Sequence, residues 1–195
     1  MSIPSSSGRR PITVAAGGTI ETALLPYHIV HLLKFLPVIV RVALSSSAQR
    51  FVTPLALEGI TRQPVYTDII QLDAMTHLPL HMLYAEGPVV LYPASPRILA
   101  ECALGIVSCP VTQVFAFADK ASVLICPALH PRCTKWLYED HLRRLETLGC
   151  TVLGVTNGEF MERATWDDVE KGLSLLLDLE LAPRPSEVYT LSEGS

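Results

Sequence analysis

Small and hydroxyl-bearing residues follow three apolar segments of this 195-residue chain. Gly18-Thr19-Ile20 follows the first segment, Ser45-Ser46-Ser47 follows the second, and Ser95 and Arg97 follow the third. Hydroxyl groups, backbone N–H groups at helix starts and the close backbone approach that glycine permits all favour a bound phosphate. The serines could equally form a helix cap, and the glycines a tight turn. Neither stretch has the glycine pattern of a dinucleotide-binding turn or of a P-loop.

Three histidines lie near predicted strand ends, where a base for proton transfer could be placed: His77, His81 and His130. The other three lie on predicted helices, and we expect them to face solvent: His28, His31 and His141. No set of His, Cys and carboxylate residues has the spacing of a metal site, so we expect no metal. The sequence also lacks the Gly-x-Ser-x-Gly turn of a serine hydrolase. The residues alone therefore predict a phosphate-containing ligand with a histidine nearby.

Alternating apolar strands and amphipathic helices would position these residues. Strands are predicted at about 11–16, 38–44, 89–92, 122–126 and 151–155, and helices at about 25–36, 48–60, 98–106 and 138–148. A last helix is predicted after Thr165, which forms a capping box with Asp168. Continuous apolar strands that alternate with helices are typical of the α/β class, here a single doubly wound parallel sheet between helix layers. Ligands bind such sheets beyond the carboxyl ends of the strands, so we expect the turns to form one site.

Composition restricts the possible partners and the compartment. The net charge of -4 gives no basis for binding nucleic acid or an anionic membrane. Apolar residues make up 49% of the chain and charged residues 17%, which predicts burial at subunit interfaces. The apolar stretch 24–44 is interrupted by charged residues and a proline, the N-terminus lacks signal-peptide features, and the five cysteines form no Cys-x-x-Cys pair. We expect a cytoplasmic protein with a flexible N-terminus (1–10), one domain (11–181) and a C-terminal tail (182–195).

Five stretches, in order along the chain, resemble the flavin-containing cysteine decarboxylases over roughly residues 11–180. They are Gly18-Thr19-Ile20, the segment VALSSSAQRFVTPLALEGITRQPVYTD (42–68), Pro93-Ala94-Ser95, PALHPRC (127–133) and GEFMERATWDDVEKGLSLLL (158–177). The family includes phosphopantothenoylcysteine decarboxylases and the peptidyl-cysteine decarboxylases that modify ribosomally made peptides. The resemblance implies a flavodoxin-like or Rossmann-like fold that binds FMN at the interface of a homotrimer, with trimers often assembled into dodecamers.

The same resemblance implies roles for individual residues. Gly18, Thr19 and Ile20 with Ser45, Ser46 and Ser47 would hold the phosphate and ribityl chain of FMN, and Ser95 and the backbone of Ala128 would face the flavin ring. His77 opens a His-x-x-Leu pattern, as the family's catalytic histidine does. We therefore favour His77 as the catalytic base, although it lies about two residues further from Pro93 than the family's histidine does, which requires an insertion. His81 is the alternative.

The chain departs from the family pattern at two asparagine positions, which are Arg97 and His130 here. The resemblance implies that both would bind the substrate carboxylate, Arg97 through a charge-assisted contact. Each also has a purely structural interpretation. Arg97 has the spacing of a surface ion pair with Glu101, four residues on, and His130 could be packed between prolines.

The resemblance implies oxidative decarboxylation of a cysteine: a hydride leaves its side chain for the flavin, and loss of CO2 gives an aminoenethiol. Phosphopantothenoylcysteine decarboxylases carry a long loop with a cysteine before the last helix, and here that segment is short and has no cysteine. We therefore favour a peptide ending in cysteine as the substrate. The alternatives are a small-thiol decarboxylase of the phosphopantothenoylcysteine type, a flavin prenyltransferase and a non-catalytic regulatory flavoprotein.

Overall fold

The computed structural model describes residues 8–129, 136–154, 156–157, 160–161 and 164–179. The strands are β1 (Arg10–Ala16), β2 (Val38–Leu44), β3 (Val65–Tyr66), β4 (Val89–Ala94), β5 (Val123–Pro127), β6 (Thr151–Val152), β7 (Thr156–Asn157) and β8 (Phe160–Met161). The helices are α1 (Leu25–Phe35), α2 (Pro54–Thr61), α3 (Leu80–Tyr84), α4 (Pro96–Leu104), α5 (Pro110–Phe117), α6 (Trp136–Thr147) and α7 (Trp166–Leu177). Short 3-10 helices span Ile20–Leu24, Ala48–Arg50 and Lys120–Ser122.

Strands β1 to β6 form one parallel sheet in the order β3-β2-β1-β4-β5-β6. Strand β1 lies between β2 and β4, so the strand order reverses beside it. Strands β7 and β8 form a separate antiparallel pair. Because all six strands are parallel, their carboxyl ends share one edge, which we call the carboxyl edge. The predicted doubly wound α/β fold is confirmed.

Two apolar layers hold the helices on the two faces of the sheet. Helices α1, α2 and α7 cover one face through residues such as Ile29, Leu57 and Leu173, and helices α3 to α6 cover the other. Neighbouring residues of a strand point into different layers: Val14 belongs to the first and Ala15 to the second. Burial on both faces explains why the strands are continuous apolar runs rather than alternating ones.

The predicted helix at 48–60 is wrong in one respect, because the chain forms a 3-10 helix and then a separate helix α2. Pro54 disfavours helical backbone at Thr53, and the Thr53 side chain instead accepts a hydrogen bond from Ala56 N (3.3 Å) as the cap of α2. Strand β3 and helices α3 and α5 had not been predicted. The capping box of α7 is confirmed, with Thr165 N donating to Asp168 Oδ2 at 2.8 Å.

The apolar stretch 24–44 is divided between α1 and β2, which are joined by a turn. Within the described ranges, none of the helices combines the length and hydrophobicity needed to cross a bilayer.

Candidate functional site

Four turns meet at the carboxyl edge, those that follow β1, β2, β4 and β5. Three main-chain hydrogen bonds join them: Gly17 N to Pro93 O (2.9 Å), Ser45 N to Ala16 O (3.1 Å) and Ala128 N to Ala94 O (2.9 Å). The first bond connects the turn after β1 with the end of β4. The second connects the turn after β2 with the end of β1, and the third connects the turn after β5 with the end of β4. The structure therefore brings together the turns that the sequence singled out.

The turn after β1 packs so closely on its neighbours that a side chain would collide with them. A Cβ atom on Gly17 would lie 2.9 Å from Pro93 O and 3.0 Å from Ser95 N. On Gly18, it would lie 2.5 Å from both Cβ and Oγ of Ser47. Real Cβ contacts are almost never this short, so glycine is needed here for close approach.

The hydroxyl groups of these turns suit an anionic ligand. The Ser45 side chain is buried, accepts from Ala48 N at 3.2 Å and lies 3.1 Å from Ser47 Oγ, whereas Ser46 and Ser47 are exposed. Thr19 Oγ1 is buried and has no hydrogen-bond partner among the described residues. A buried hydroxyl normally has a partner, so this one has unused capacity to bind a ligand group. The residues fit the phosphate of a flavin nucleotide.

Ser95 and Ala128 line the next part of the edge. Ser95 is buried, and its Oγ accepts from Ile98 N (3.4 Å) as the cap of α4. Ala128 is half-buried, and its backbone is fixed by the bond to Ala94. Ile20, in the turn after β1, has 69% of its surface exposed. An exposed apolar side chain at this edge is compatible with a flat aromatic ligand. The predicted site residue His130 lies outside the described residues.

Arg97 takes part in a three-residue network beside α4. Its Nε donates to Glu101 Oε1 at 2.6 Å and its Nη2 donates to Ser108 Oγ at 3.1 Å. Ser108 Oγ in turn donates to Glu101 Oε2 at 2.6 Å. The hydrogen bond and charge of Glu101 raise the pKa of Arg97. The ion pair that the four-residue spacing allowed is present, while Ser108 is eleven residues away and gave no signal in the sequence.

His77 lies in the loop between β3 and α3. The loop is closed by local hydrogen bonds: Asp73 N donates to Leu78 O at 2.8 Å, and His77 N donates to Asp73 O at 2.9 Å. His77 is exposed and has a φ of 56°, in the left-handed region that few non-glycine residues adopt. His81 lies in α3 with its ring 4.4 Å from that of Phe117. No hydrogen bond among the described residues connects either histidine to the four turns.

The prediction that His28 and His31 face solvent was wrong, because α7 packs beside α1. The His28 ring stacks on Trp166 at 4.4 Å, and its Nε2 lies 3.4 Å from the Tyr92 hydroxyl at the end of β4. His31 Nδ1 lies 2.6 Å from Glu170 Oε1, and the Glu170 side chain is only 5% exposed. Desolvation by burial lowers the pKa of His28 and raises that of Tyr92 to about 12. Helix α1 had been predicted, but its packing partner had not.

A model of the protein family described as Flavoprotein matches residues 2–175. Among curated proteins, the chain is 27% identical over 149 residues to the coenzyme A biosynthesis bifunctional protein CoaBC of Haemophilus influenzae, a match covering 74% of this chain and 35% of the relative. It is 32% identical over 123 residues to CoaBC of Mycobacterium bovis, covering 61% of this chain and 28% of the relative. The chain thus spans about a third of the length of these relatives.

Solved structures share the fold. The FMN-dependent cysteine decarboxylase SpaF has a TM-score of 0.71 and 17% identity, covering 89% of this chain and 99% of that chain. A cysteine-to-serine mutant of PPC decarboxylase complexed with pantothenoylaminoethenethiol has a TM-score of 0.71 and 19% identity, covering 87% and 99%. The peptidyl-cysteine decarboxylase EpiD has a TM-score of 0.68 and 19% identity, covering 85% and 98%. These proteins share one architecture but are described as decarboxylases of different substrates, cysteine for SpaF and peptidyl-cysteine for EpiD, beside PPC decarboxylase. The fold alone therefore does not select the substrate.

Proposed function

The chain belongs to the flavoprotein family, and on that premise we propose that it is an FMN-dependent decarboxylase acting on the C-terminal cysteine of a peptide. The observation that carries this proposal is the set of joined turns at the carboxyl edge, where the Thr19 hydroxyl is buried and has no partner among the described residues. Solved proteins of the same fold, described as FMN-dependent cysteine decarboxylases, support it.

Bound FMN would supply an acceptor for the two electrons that leave the cysteine side chain. We assign its phosphate and ribityl chain to Gly18, Thr19 and Ile20 together with Ser45–Ser47. Close packing of Gly18 on Ser47 supports this assignment, because it fixes the two turns relative to each other. Ser95 and the main chain at Ala128 would lie against the flavin ring, and the hydrogen bonds that fix both residues would keep that surface rigid.

His77 would remove the thiol proton of the substrate, and a second copy of the chain would bring it to the four turns. The loop that carries His77 exposes large apolar side chains, among them Ile70, Leu72 and Met75. Large apolar side chains clustered on an exposed loop are typical of a surface that is covered in an assembly. This supports a homo-oligomer, a trimer or a dodecamer, in which the site is completed between copies.

Arg97 and His130 would bind the substrate carboxylate. Among the described residues, Glu101 and Ser108 bond only to Nε and Nη2 of Arg97 and leave its Nη1 without a partner. A carboxylate could therefore bind the Nη1 side of the guanidinium while the network stays intact.

A peptide is favoured over a small thiol because residues 151–165, which precede α7, contain no cysteine. Without a thiol before α7 to reduce it, the enethiol would leave as product. The second candidate function is decarboxylation of a small thiol of the phosphopantothenoylcysteine type. The CoaBC relatives favour it, since those proteins are described as acting in coenzyme A biosynthesis.

The decisive experiment incubates the purified FMN-loaded protein separately with a Cys-terminal peptide and with phosphopantothenoylcysteine. We expect the peptide to lose CO2 and two hydrogens, about 46 Da by mass spectrometry. The same loss from phosphopantothenoylcysteine alone would select the second candidate. A preparation that cannot be loaded with FMN would reject both, since each needs the flavin.

A further inference from the structure

Glu101 is placed to reduce the charge that Arg97 presents to a ligand. The Arg97 side chain is 63% exposed, whereas that of Glu101 is 12% exposed and accepts from both Arg97 and Ser108. A carboxylate at 2.6 Å cancels most of the field of the guanidinium at longer range, yet it leaves the free Nη1 hydrogens able to donate. Arg97 therefore offers directional hydrogen bonds with little net positive charge.

Decarboxylation favours such a donor, for a reason that follows from the proposed reaction. After oxidation, the substrate cysteine carries a C=S group at Cβ. The bond from Cα to the carboxylate then breaks, its electron pair forms the Cα=Cβ double bond, the C=S pair moves to sulfur, and CO2 leaves. Negative charge thus moves from the carboxylate to sulfur. A strong cation at the carboxylate would stabilise the starting state more than the transition state and would slow the step.

We propose that Glu101 tunes Arg97 for this step, so that the pair behaves as a neutral hydrogen-bond donor at the substrate carboxylate. The inference rests on the function proposed above and adds Glu101 to it as a positioning and charge-tuning residue. Ser108 holds the pair together, because its hydroxyl accepts from Arg97 and donates to Glu101. The neutral Arg97–Glu101 pair also explains how an arginine can occupy the position where the resemblance places an uncharged asparagine.

The test is Glu101→Gln in the FMN-loaded protein, which removes the negative charge and keeps a similar shape. Two quantities are measured. The first is kcat with a Cys-terminal peptide in air, since dioxygen must reoxidise the flavin after each turnover. The second is the Kd of the same peptide ending in serine, which has no thiol to oxidise. With the partner charge gone, we expect the serine peptide to bind about threefold to tenfold tighter and kcat to fall by a similar factor. The C-terminal amide of the serine peptide should bind as it does to the wild type.

Three further variants separate charge from structure. Arg97→Asn alone leaves the Glu101 charge near the substrate, so the serine peptide should bind more weakly than to the wild type. The double variant Arg97→Asn/Glu101→Gln has a neutral pair again. Its kcat should therefore exceed that of Glu101→Gln and lie within about twofold of the wild type. Glu86→Gln is the matched control, because Glu86 pairs with Arg41 (3.5 Å) and precedes β4 at the opposite edge of the sheet.

A purely structural role for Glu101 predicts a different pattern, in which Glu101→Gln weakens binding and lowers kcat together. That result would overturn the inference, as would equal binding of the acid and amide peptides by the wild type. If no peptide is decarboxylated but Glu101→Gln still tightens binding of the acid peptide alone, the proposed reaction fails and only the charge tuning of a carboxylate site stands. Unchanged kcat in Glu101→Gln would reject the effect on catalysis.

Discussion

Gly18→Ala tests the joined turns at the point where they are most closely packed. The added Cβ would lie 2.5 Å from Ser47 Cβ and Oγ and 2.7 Å from Ser47 C. The last of these is a main-chain atom, so rotation of the Ser47 side chain cannot relieve the contact. The turns after β1 and β2 would have to separate by several tenths of an ångström.

Separation of the two turns should lower both the stability of the apoprotein and its affinity for FMN. Overpacking of a close contact costs about 1–3 kcal/mol, so we expect the free energy of unfolding of the apoprotein to fall by that amount. The same two turns are proposed to hold the FMN phosphate, so affinity for FMN should fall as well. Misplaced hydrogen-bonding groups around the phosphate would weaken FMN binding by about 1–3 kcal/mol, which corresponds to a roughly fivefold to 150-fold rise in Kd.

The assays are urea unfolding of the apoprotein and fluorescence titration with FMN. Gly59→Ala is the matched control, because Gly59 lies in helix α2 and a Cβ there would meet nothing within 4 Å. Alanine is preferred over glycine inside a helix, so this control should gain about 0.5–1 kcal/mol and bind FMN normally. If Gly18→Ala unfolds like the wild type and binds FMN with the same Kd, the close packing of the two turns has no role in the site.

Three shorter predictions concern titratable groups. His77→Asn should abolish turnover while retaining FMN, and His81→Asn should not; normal turnover in the first variant would remove His77 from the mechanism. Burial lowers the pKa of His28, so below about pH 6.5 the unfolded chain binds a proton more readily than the folded chain does. The free energy of unfolding should therefore fall as the pH drops below about 6.5. Urea unfolding of His28→Phe should show a smaller fall. Burial raises the pKa of Cys150 to about 11 and that of Cys102 further, so iodoacetamide at pH 8 (about half a unit below a free thiol's pKa) should label neither in the native protein, as peptide mapping would show.

The fold and the turns were predictable because they depend on local patterns. Continuous apolar runs predicted five of the six strands of the sheet, and β2 was placed with its observed bounds. The turns of interest were found from small residues directly after those runs, and parallel strands necessarily bring such turns to one edge. The capping box at Thr165 likewise depends on residues three apart and could be read directly.

Features that depend on distant packing could not be predicted. Strand β3 has only Val65 and Tyr66, which is too short for a periodic pattern. Helix α5 is mostly buried, so it lacks a polar face that would mark it as a helix. His31 and Glu170 lie on helices α1 and α7, and only tertiary structure brings these helices together.

The sheet order separates the strand that precedes the His77 loop from the strand that precedes Ser95. Strand β3, which precedes the His77 loop, is separated from β4 by β2 and β1. Neighbouring strands are about 4.8 Å apart, so the carboxyl ends of β3 and β4 are roughly 14 Å apart in one copy. Leu80 N donates to Gln71 O and closes the loop locally. A site that uses both His77 and Ser95 is therefore more simply built from two copies of the chain.

Mixed oligomers test this directly. His77→Asn keeps the four turns intact but lacks the base, and Gly18→Ala keeps His77 intact but binds FMN weakly. At an FMN concentration that fills the wild type and leaves Gly18→Ala largely empty, each variant alone should be nearly inactive. If a site takes its turns from one copy and its histidine from another, random co-assembly restores both parts at about one site in four. Turnover by co-expressed variants, measured with a Cys-terminal peptide, should then recover to about a quarter of the wild-type rate. A site contained within one copy would give no recovery, because every copy in the mixture carries one of the two defects.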